Sequence, residues 1–338
     1  MKRKILLYLS IAIIAIIAIA AMGCQTDSGG PESVGQKSLG TETKNIKFYY
    51  QDGTPALTVA KLAKENPEIH ENITIDYVMQ KSPDLLVAEI LKEEADIAII
   101  PSNLAAQTFN KDLSYKIVGT PTWGAMYLTS TEDIKEFEDL KGKEIYTFGK
   151  GLTPDLVLRY VLSKNDIDPD TDVKITYLNS ASEMGPAFLS GKTNLAVLPE
   201  PLLTVVMSKN EDAKVIFDLN QEWSNASGAE KGFPQSSLVI KTELIEDNIE
   251  FVESFIDNFE ASRKWAIENQ DELGEYAEEL EISVPKDIIK KGIRWTNPED
   301  FTINDSHSEY EIYYDAILDF APDFIGGKAP SEDLYFER

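Results

Sequence analysis

Apolar positions along this chain fall into a pattern that occurs twice. A short β-prone stretch, Lys47 to Tyr50, passes through Gly53, Thr54 and Pro55 into apolar residues at helical spacing, Leu57, Ala60, Leu62 and Ala63. Glu144 to Phe148 does the same through Gly151, Thr153 and Pro154 into Leu156, Val157, Tyr160 and Val161. The change of period from compact apolar runs to three-and-four spacing predicts a strand followed by a helix each time. Each unit is followed by a buried-strand run stopped by proline: Asp96 to Ile100 before Pro101, and Asn194 to Leu198 before Pro199. Ser82 and Ser180 precede those prolines at the same interval. Three matched landmarks predict two similar α/β lobes with a central cleft, a natural place for a small ligand.

The landmarks also nominate the residues of the cleft. Gly53 and Gly151 allow the tight turn. Thr54 and Thr153 are expected as helix N-caps, and Pro55 and Pro154 suit the first helical turn. Helix N-termini at the carboxyl ends of strands offer free N–H groups to a carboxylate, sulfonate, phosphate or polarised carbonyl. The expected binding residues are Asp52, Gly53, Thr54, Pro55, Ser82, Ser102 and Asn103 from lobe one. Lobe two adds Lys150, Gly151, Thr153, Pro154, Asn179, Ser180 and Glu200. Trp123 is a candidate aromatic wall, with Trp223 and Phe233 as weaker ones; ordinary core packing is the alternative for Trp123. Thr-Pro as a plain helix start, and Ser102 and Asn103 as plain caps, are the competing readings. Few cations fall on the landmarks, Lys81 and Lys150, and Asp52 and Glu200 oppose a bare inorganic anion. The pattern therefore leans to a small organic ligand, such as a flat heterocycle with N–H donors, over nitrate or sulfate.

Lobe one is expected over residues 45–129 and 237–338, and lobe two over 130–236. Crossing segments near Leu128 to Glu132 and Gln235 to Lys241 would form a two-segment hinge. Glu243 to Glu281, with Phe251, Phe255, Phe259 and Trp265 on a charged background, predicts a long amphipathic helix, and the helices from Ile245 onward are expected on lobe one.

The first residues are a leader. Lys2, Arg3 and Lys4 precede an apolar run, Ile5 to Ala20, and small residues lead to Cys24, the one cysteine in 338 residues. This resembles the signal and lipobox of bacterial lipoproteins, which implies a signal peptide over 1–23 and a lipid-modified Cys24; a transmembrane anchor is the alternative. Residues 25–44 are rich in Gly, Ser and Thr and read as a flexible tether. The formal net charge is −26, and losing the three leader cations makes it more negative still. Such a surface excludes nucleic acid as a partner, since binding there relies on Lys and Arg neutralising phosphates.

Together, the leader, the strand-Gly-Thr-Pro-helix start, the Asp96 to Pro101 run, Asp139 to Ile145 (DLKGKEI), Ser190 to Pro201 and Ile325 to Tyr335 resemble bacterial ABC-importer solute-binding proteins. The nearest group is the nitrate/sulfonate/taurine and thiamine-pyrimidine-precursor type. The resemblance implies a type II periplasmic-binding-protein fold, capture of a small molecule by hinge closure, and delivery to a membrane permease with its ATPase. It further implies a monomer, extracytoplasmic and lipid-anchored to the cell membrane. A sensor module that presents its ligand, or an enzyme of menaquinone- or thiamine-precursor pathways on the same fold, are the alternatives.

Catalytic chemistry has little support in the residues. His70 reads as a loop residue and His307 as a helix cap. No GxSxG, HExxH or CxxC occurs, and Phe148 to Gly151 is not a Walker loop. Asp166 to Asp172 imitates a calcium loop, but Thr171 and Tyr177 stand where Gly and Glu are needed. The expectation is a non-enzyme without cofactor or metal.

Overall fold

The computed structural model describes residues 43–290 and 301–338. The expected leader, Cys24 and nearly all of the tether lie outside the described residues. The tether was expected to reach residue 44, but the first strand already begins there.

The strands are β1 (Lys44–Gln51), β2 (Ile73–Gln80), β3 (Ile97–Pro101), β4 (Tyr115–Trp123), β5 (Met126–Ser130), β6 (Glu144–Phe148), β7 (Lys174–Leu178), β8 (Leu195–Pro199), β9 (Lys214–Asp218) and β10 (Pro234–Lys241). The helices are α1 (Thr54–Glu65), α2 (Pro83–Leu91), α3 (Ser102–Phe109), α4 (Thr153–Lys164), α5 (Ala181–Leu189), α6 (Leu202–Lys209) and α7 (Leu219–Ser227). There follow α8 (Thr242–Asp247), α9 (Ile249–Glu268), α10 (Gln270–Glu279), α11 (Lys286–Ile289) and α12 (Ile303–Phe320).

Two five-stranded sheets result, ordered β2-β1-β3-β10-β4 and β7-β6-β8-β5-β9. They are one plan built twice. In each, three parallel strands joined by helical crossovers meet an antiparallel strand, β10 or β5, in fourth place. The fold is the expected α/β type II arrangement of two lobes.

The antiparallel strands are exchanged in sequence. β5 directly follows β4 of sheet one yet pairs with β8 and β9. The first crossing therefore lies between Trp123 and Met126, earlier than Leu128 to Glu132. The apolar run from Trp123 to Thr129 hid it, because both strands there are buried. The return crossing ends at Pro234, where β10 begins.

The two crossing segments run beside each other. Gly124 N–H donates to Phe233 O at 3.0 Å, and Pro234 pairs with Trp123. The Asn220 side chain fastens the return segment, accepting from Phe233 N–H at 3.1 Å and donating to Lys231 O at 3.4 Å. A Cβ on Gly124 or Gly232 would collide with Asn220, and Gly232 has φ +92°. That backbone region favours glycine.

The amphipathic segment after β10 is broken rather than continuous. Asn248 and Asn269 have non-helical backbones and divide it into α8, α9 and α10. Phe251, Phe255 and Phe259 are buried against lobe one. Phe255 meets Phe48 of β1 edge-on at 5.4 Å. Burying each such ring contributes about 2–3 kcal/mol.

α12 departs from expectation, because it packs on both lobes. Tyr310 Oη lies 2.7 Å from Ser237 Oγ, and Tyr314 Oη donates to Ser102 O at 2.8 Å, both in lobe one. Tyr313 contacts Trp223 and Thr153 of lobe two. One apolar core accordingly runs from Ile100 and Leu104 through the α12 tyrosines to Leu128 and Trp223. Trp223 and Phe233 are both fully buried in it.

α12 also reaches the return crossing through Glu309, which is 4% exposed. Its carboxylate accepts from Lys231 N–H at 3.4 Å. Burial raises the Glu309 pKa above its ordinary value, and backbone N–H groups of Lys231 and Glu230 only partly oppose it.

Two outcomes are expected in chemical denaturation. Gly232→Ala should cost about 2 kcal/mol, through the left-handed backbone and the clash with Asn220. Glu309→Gln should raise stability at pH 7. The folded state holds the Glu309 proton more tightly than the unfolded chain, so its penalty grows as pH rises through the raised pKa and is relieved as pH falls towards the unfolded value. The gain from Gln should therefore vanish at acidic pH.

Candidate functional site

The cleft forms where β1, β3, β6 and β8 end and their helices begin. It holds a cavity of about 100 Å³ between the lobes. Its walls are largely apolar: Ile99, Ile100, Pro101, Phe148, Pro154, Pro199, Pro201, Leu202, Val205 and Val284. Polar groups come from Gln51, Asp52, Thr54, Lys81, Ser180, Ser182, Glu200, Gln235, Ser236 and Ser283.

Of the residues expected from sequence, the cavity brings together Asp52, Gly53, Thr54, Pro55, Pro154, Ser180 and Glu200. The others lie elsewhere. Ser82 starts α2 outside the cavity. Ser102 is fully buried, its Oγ 2.9 Å from Ser237 Oγ. Trp123 is fully buried in the core rather than forming a wall. Lys150 is exposed with its ammonium over the Tyr177 ring at 5.4 Å, and Asn179 is exposed beside Glu183.

Asn103, Gly151 and Thr153 form a bridge between the lobes outside the cavity lining. Asn103 Nδ2 donates to Gly151 O at 3.0 Å and to Phe324 O at 3.1 Å. Thr153 Oγ1 donates to Asn103 Oδ1 at 3.2 Å and lies 3.1 Å from Tyr313 Oη. A second bridge is part of the lining: Thr54 Oγ1 donates to Glu200 O at 2.6 Å. Neither threonine caps its helix. Each is the first residue of the helix, preceded by Gly53 or Leu152 in the cap position, with no side-chain cap bond. The prolines do occupy the first turn as expected. The hydroxyls sit too far into the helix to reach its own free N–H groups, so they serve the opposite lobe.

Carboxylates fix the local loops. Asp155 is 1% exposed and accepts from Gly151 N–H at 2.8 Å, Arg159 Nε at 2.9 Å and Tyr177 Oη at 2.6 Å. Burial, then the bond to Asp155, push the Tyr177 phenol up to about 12, with Arg159 opposing. Glu200 accepts from the Thr204 N–H at 3.2 Å and from its hydroxyl at 2.9 Å, closing the first turn of α6. Lys81 is the one cation among the described lining residues. Its ammonium donates to Asp52 at 3.1 Å and to Glu281 O at 2.7 Å.

Sequence reasoning missed Ser182, Gln235, Ser236 and the strip Ser283, Val284 and Pro285. Gln235 and Ser236 belong to the return strand, which the repeat does not contain. Gln235 Oε1 accepts from Ala125 N–H at 3.0 Å, joining both crossings at the cleft floor. The strip lies between α10 and α11 and carries no motif.

No His or Cys lines the cavity among the described residues. His70 Nδ1 lies 2.7 Å from Glu71 O on a loop. His307 sits within α12, edge-on to Tyr335; the cap there is Thr302. Asp166 to Asp172 is an internally bonded polar turn, with Asp168 accepting from Asp170 N–H at 2.9 Å and Asp172 from Asp168 N–H at 2.9 Å.

Comparison with known proteins places this geometry. The Bacillus subtilis protein YtlA is 27% identical over 145 residues, which cover 41% of this chain and 43% of YtlA. The chain thus spans less than half the length of that relative. The structure of an ABC transporter protein from Parabacteroides distasonis superposes with a TM-score of 0.69 at 28% identity, covering 88% of this chain and 100% of the other. The periplasmic aliphatic sulphonate binding protein SsuA from Escherichia coli gives 0.66 at 15% identity, over 87% and 92%; at that identity the likeness is one of fold. The NMT1/THI5-like family model matches residues 70–273, from β2 through both crossings to α10, and the chain belongs to that family.

Proposed function

We propose that this protein is an extracytoplasmic solute-binding lipoprotein that captures a small organic molecule between its lobes for an ABC importer. The observation that carries the reading is the cleft itself. It is largely apolar, lies at the carboxyl ends of two equivalent sets of strands, and side-chain hydrogen bonds run from one lobe to the other within its lining and outside it. Two lobes joined by two crossings can part about that hinge, and the bridges are contacts that parting would break. Membership of the family, and the ABC-transporter protein from Parabacteroides distasonis, support import. A permease with its ATPase is the partner, and the leader with Cys24 supplies the anchor. The absence of His and Cys among the described lining residues supports a carrier over an enzyme.

The lining also favours a ligand class. Asp52 and Glu200 place two carboxylates at the cavity against one ammonium, and Lys81 is already engaged by Asp52 and Glu281. Nitrate or sulfate would gain little there and would lose hydration. A mainly apolar organic molecule with N–H donors suits these walls, with its donors towards Glu200, Ser180 and Ser182.

Three outcomes are expected. In a thermal-shift panel of pyrimidines, flavins, sulfonates, bicarbonate and nitrate, an uncharged N–H-bearing compound should raise Tm and nitrate should not; a shift with nitrate alone would overturn the ligand class. With the panel compound that binds, Thr54→Val combined with Thr153→Val should weaken affinity about thirtyfold, since each of the two bridges is worth about 1 kcal/mol and a less populated closed form lowers apparent affinity. Unchanged affinity would remove the bridges from the closing step. Cys24→Ser should move the protein from the membrane to the soluble fraction of cells; retention on the membrane would refute lipid anchoring.

A further inference from the structure

Asp52 was expected to touch ligand, but its carboxylate is taken up by the protein. The side chain is 4% exposed. Oδ1 accepts from Gly53 N–H at 2.8 Å and Ser283 N–H at 2.9 Å. Oδ2 accepts from Ser283 Oγ at 2.6 Å and Lys81 Nζ at 3.1 Å. Four donors on one buried carboxylate leave it little capacity for a fifth.

Three of those bonds hold the same object. Ser283 lies in the turn between α10 and α11, more than two hundred positions along the chain from Asp52. The Lys81 ammonium also donates to Glu281 O, so it ties the start of that turn to the same carboxylate. The turn alternates. Ile282 and Val284 are each 7% exposed and face inward, whereas Glu281, Ser283 and Pro285 are exposed. Val284 lines the cavity. Glu281 has φ 56°, the left-handed region that a side chain with a Cβ adopts at a cost. That conformation closes the C-terminus of α10, with Glu281 N–H donating to Glu278 O at 3.2 Å and Ile282 N–H to Ala277 O at 2.9 Å, and the Lys81 bond to Glu281 O adds to it.

We propose that Asp52 is a positioning residue: it fixes the Glu281–Pro285 turn as a wall of the cleft, so that Val284 closes the cavity on the lobe-one side. The inference rests on the cleft being the binding site, and it assigns that site a wall contributed by the helices after the repeat. With the carboxylate intact the wall is part of lobe one and moves with it. Without it the turn keeps its backbone bonds to α10 and the packing of Ile282 and Val284, but its middle at Ser283 is released and the cavity opens at its side.

The test reads the wall without any ligand. In the full chain with Cys24→Ser, a Val284→Cys thiol should react slowly with a small alkylating reagent. Adding Asp52→Asn or Ser283→Ala should raise the rate about tenfold, and Ser283→Thr, which keeps the hydroxyl donor, should keep the rate slow. A thiol placed by Val206→Cys, fully buried in lobe two, should stay slow throughout. Equal rates at position 284 with and without the Asp52 change would overturn the proposal. So would equal acceleration at position 206, which would mean general loosening. Should Val284→Cys fail to fold, hydrogen exchange in Asp52→Asn decides: faster exchange confined to residues 281–286 supports the wall, and unchanged exchange there refutes it. Because no ligand enters, an empty thermal-shift panel would count against the binding reading and leave this result standing.

Discussion

Gly124 and Phe233 lie side by side where the chain leaves the first sheet and where it returns, and a backbone hydrogen bond joins them. The chain's own path between the two lobes runs through this contact. Glycine is needed on both segments because a Cβ at Gly124 or Gly232 would strike the Asn220 side chain, which bonds to the return segment. Gln235 then ties the return strand to Ala125 just beyond the hinge. The crossings are thus a single two-stranded ribbon rather than two independent linkers.

α12 adds a second constraint on the same movement. Its successive tyrosines bond to different lobes: Tyr310 and Tyr314 to lobe one, Tyr313 to Thr153 of lobe two. The hydroxyls sit in apolar surroundings, where an unmade hydrogen bond costs about 1–3 kcal/mol. Parting the lobes must therefore either carry Thr153 away from Tyr313 or let water reach both. The same logic applies to Asn103, whose amide is shared between Gly151 and Phe324. Thr54, Asn103 and Thr153 thus make directional bonds across the cleft, beside the apolar core that the two lobes share.

The plan of the fold was legible because hydrophobic period and turn chemistry agree at equivalent points. Gly-Thr-Pro at the ends of β1 and β6, and Pro101 and Pro199 at the ends of β3 and β8, sit where the repeat places them. About half of the expected site residues line the cavity, namely those whose position depends on the strand ends alone. Three of the others lie off the cavity for a common reason. Asn103, Thr153 and Trp123 are polar or aromatic groups at the right height along a strand or helix, but they face the neighbouring lobe or the core, and facing depends on tertiary contacts. The strip at Ser283 was invisible because it reaches the cleft from a helical region with no counterpart in the repeat. The long amphipathic helix was misread because Asn248 and Asn269 break it without the Pro or Gly that usually announces a break.

The exchange of β5 and β10 has a further consequence, for the order in which the structure can assemble. Every strand of sheet two lies between Met126 and Asp218, so that sheet is complete as soon as this stretch of chain is available. Sheet one is different. β3 and β4 are joined only through β10, which arrives after all of lobe two. Until then the inner edge of β3 has no partner, and Ile97 to Ile100, all buried in the finished protein, are exposed on it. Pairings across such long sequence separations form slowly, because the loop must close before the contact is made. The lobe that begins the chain is thus the last to be finished, and it stays prone to mispairing while the other is already folded.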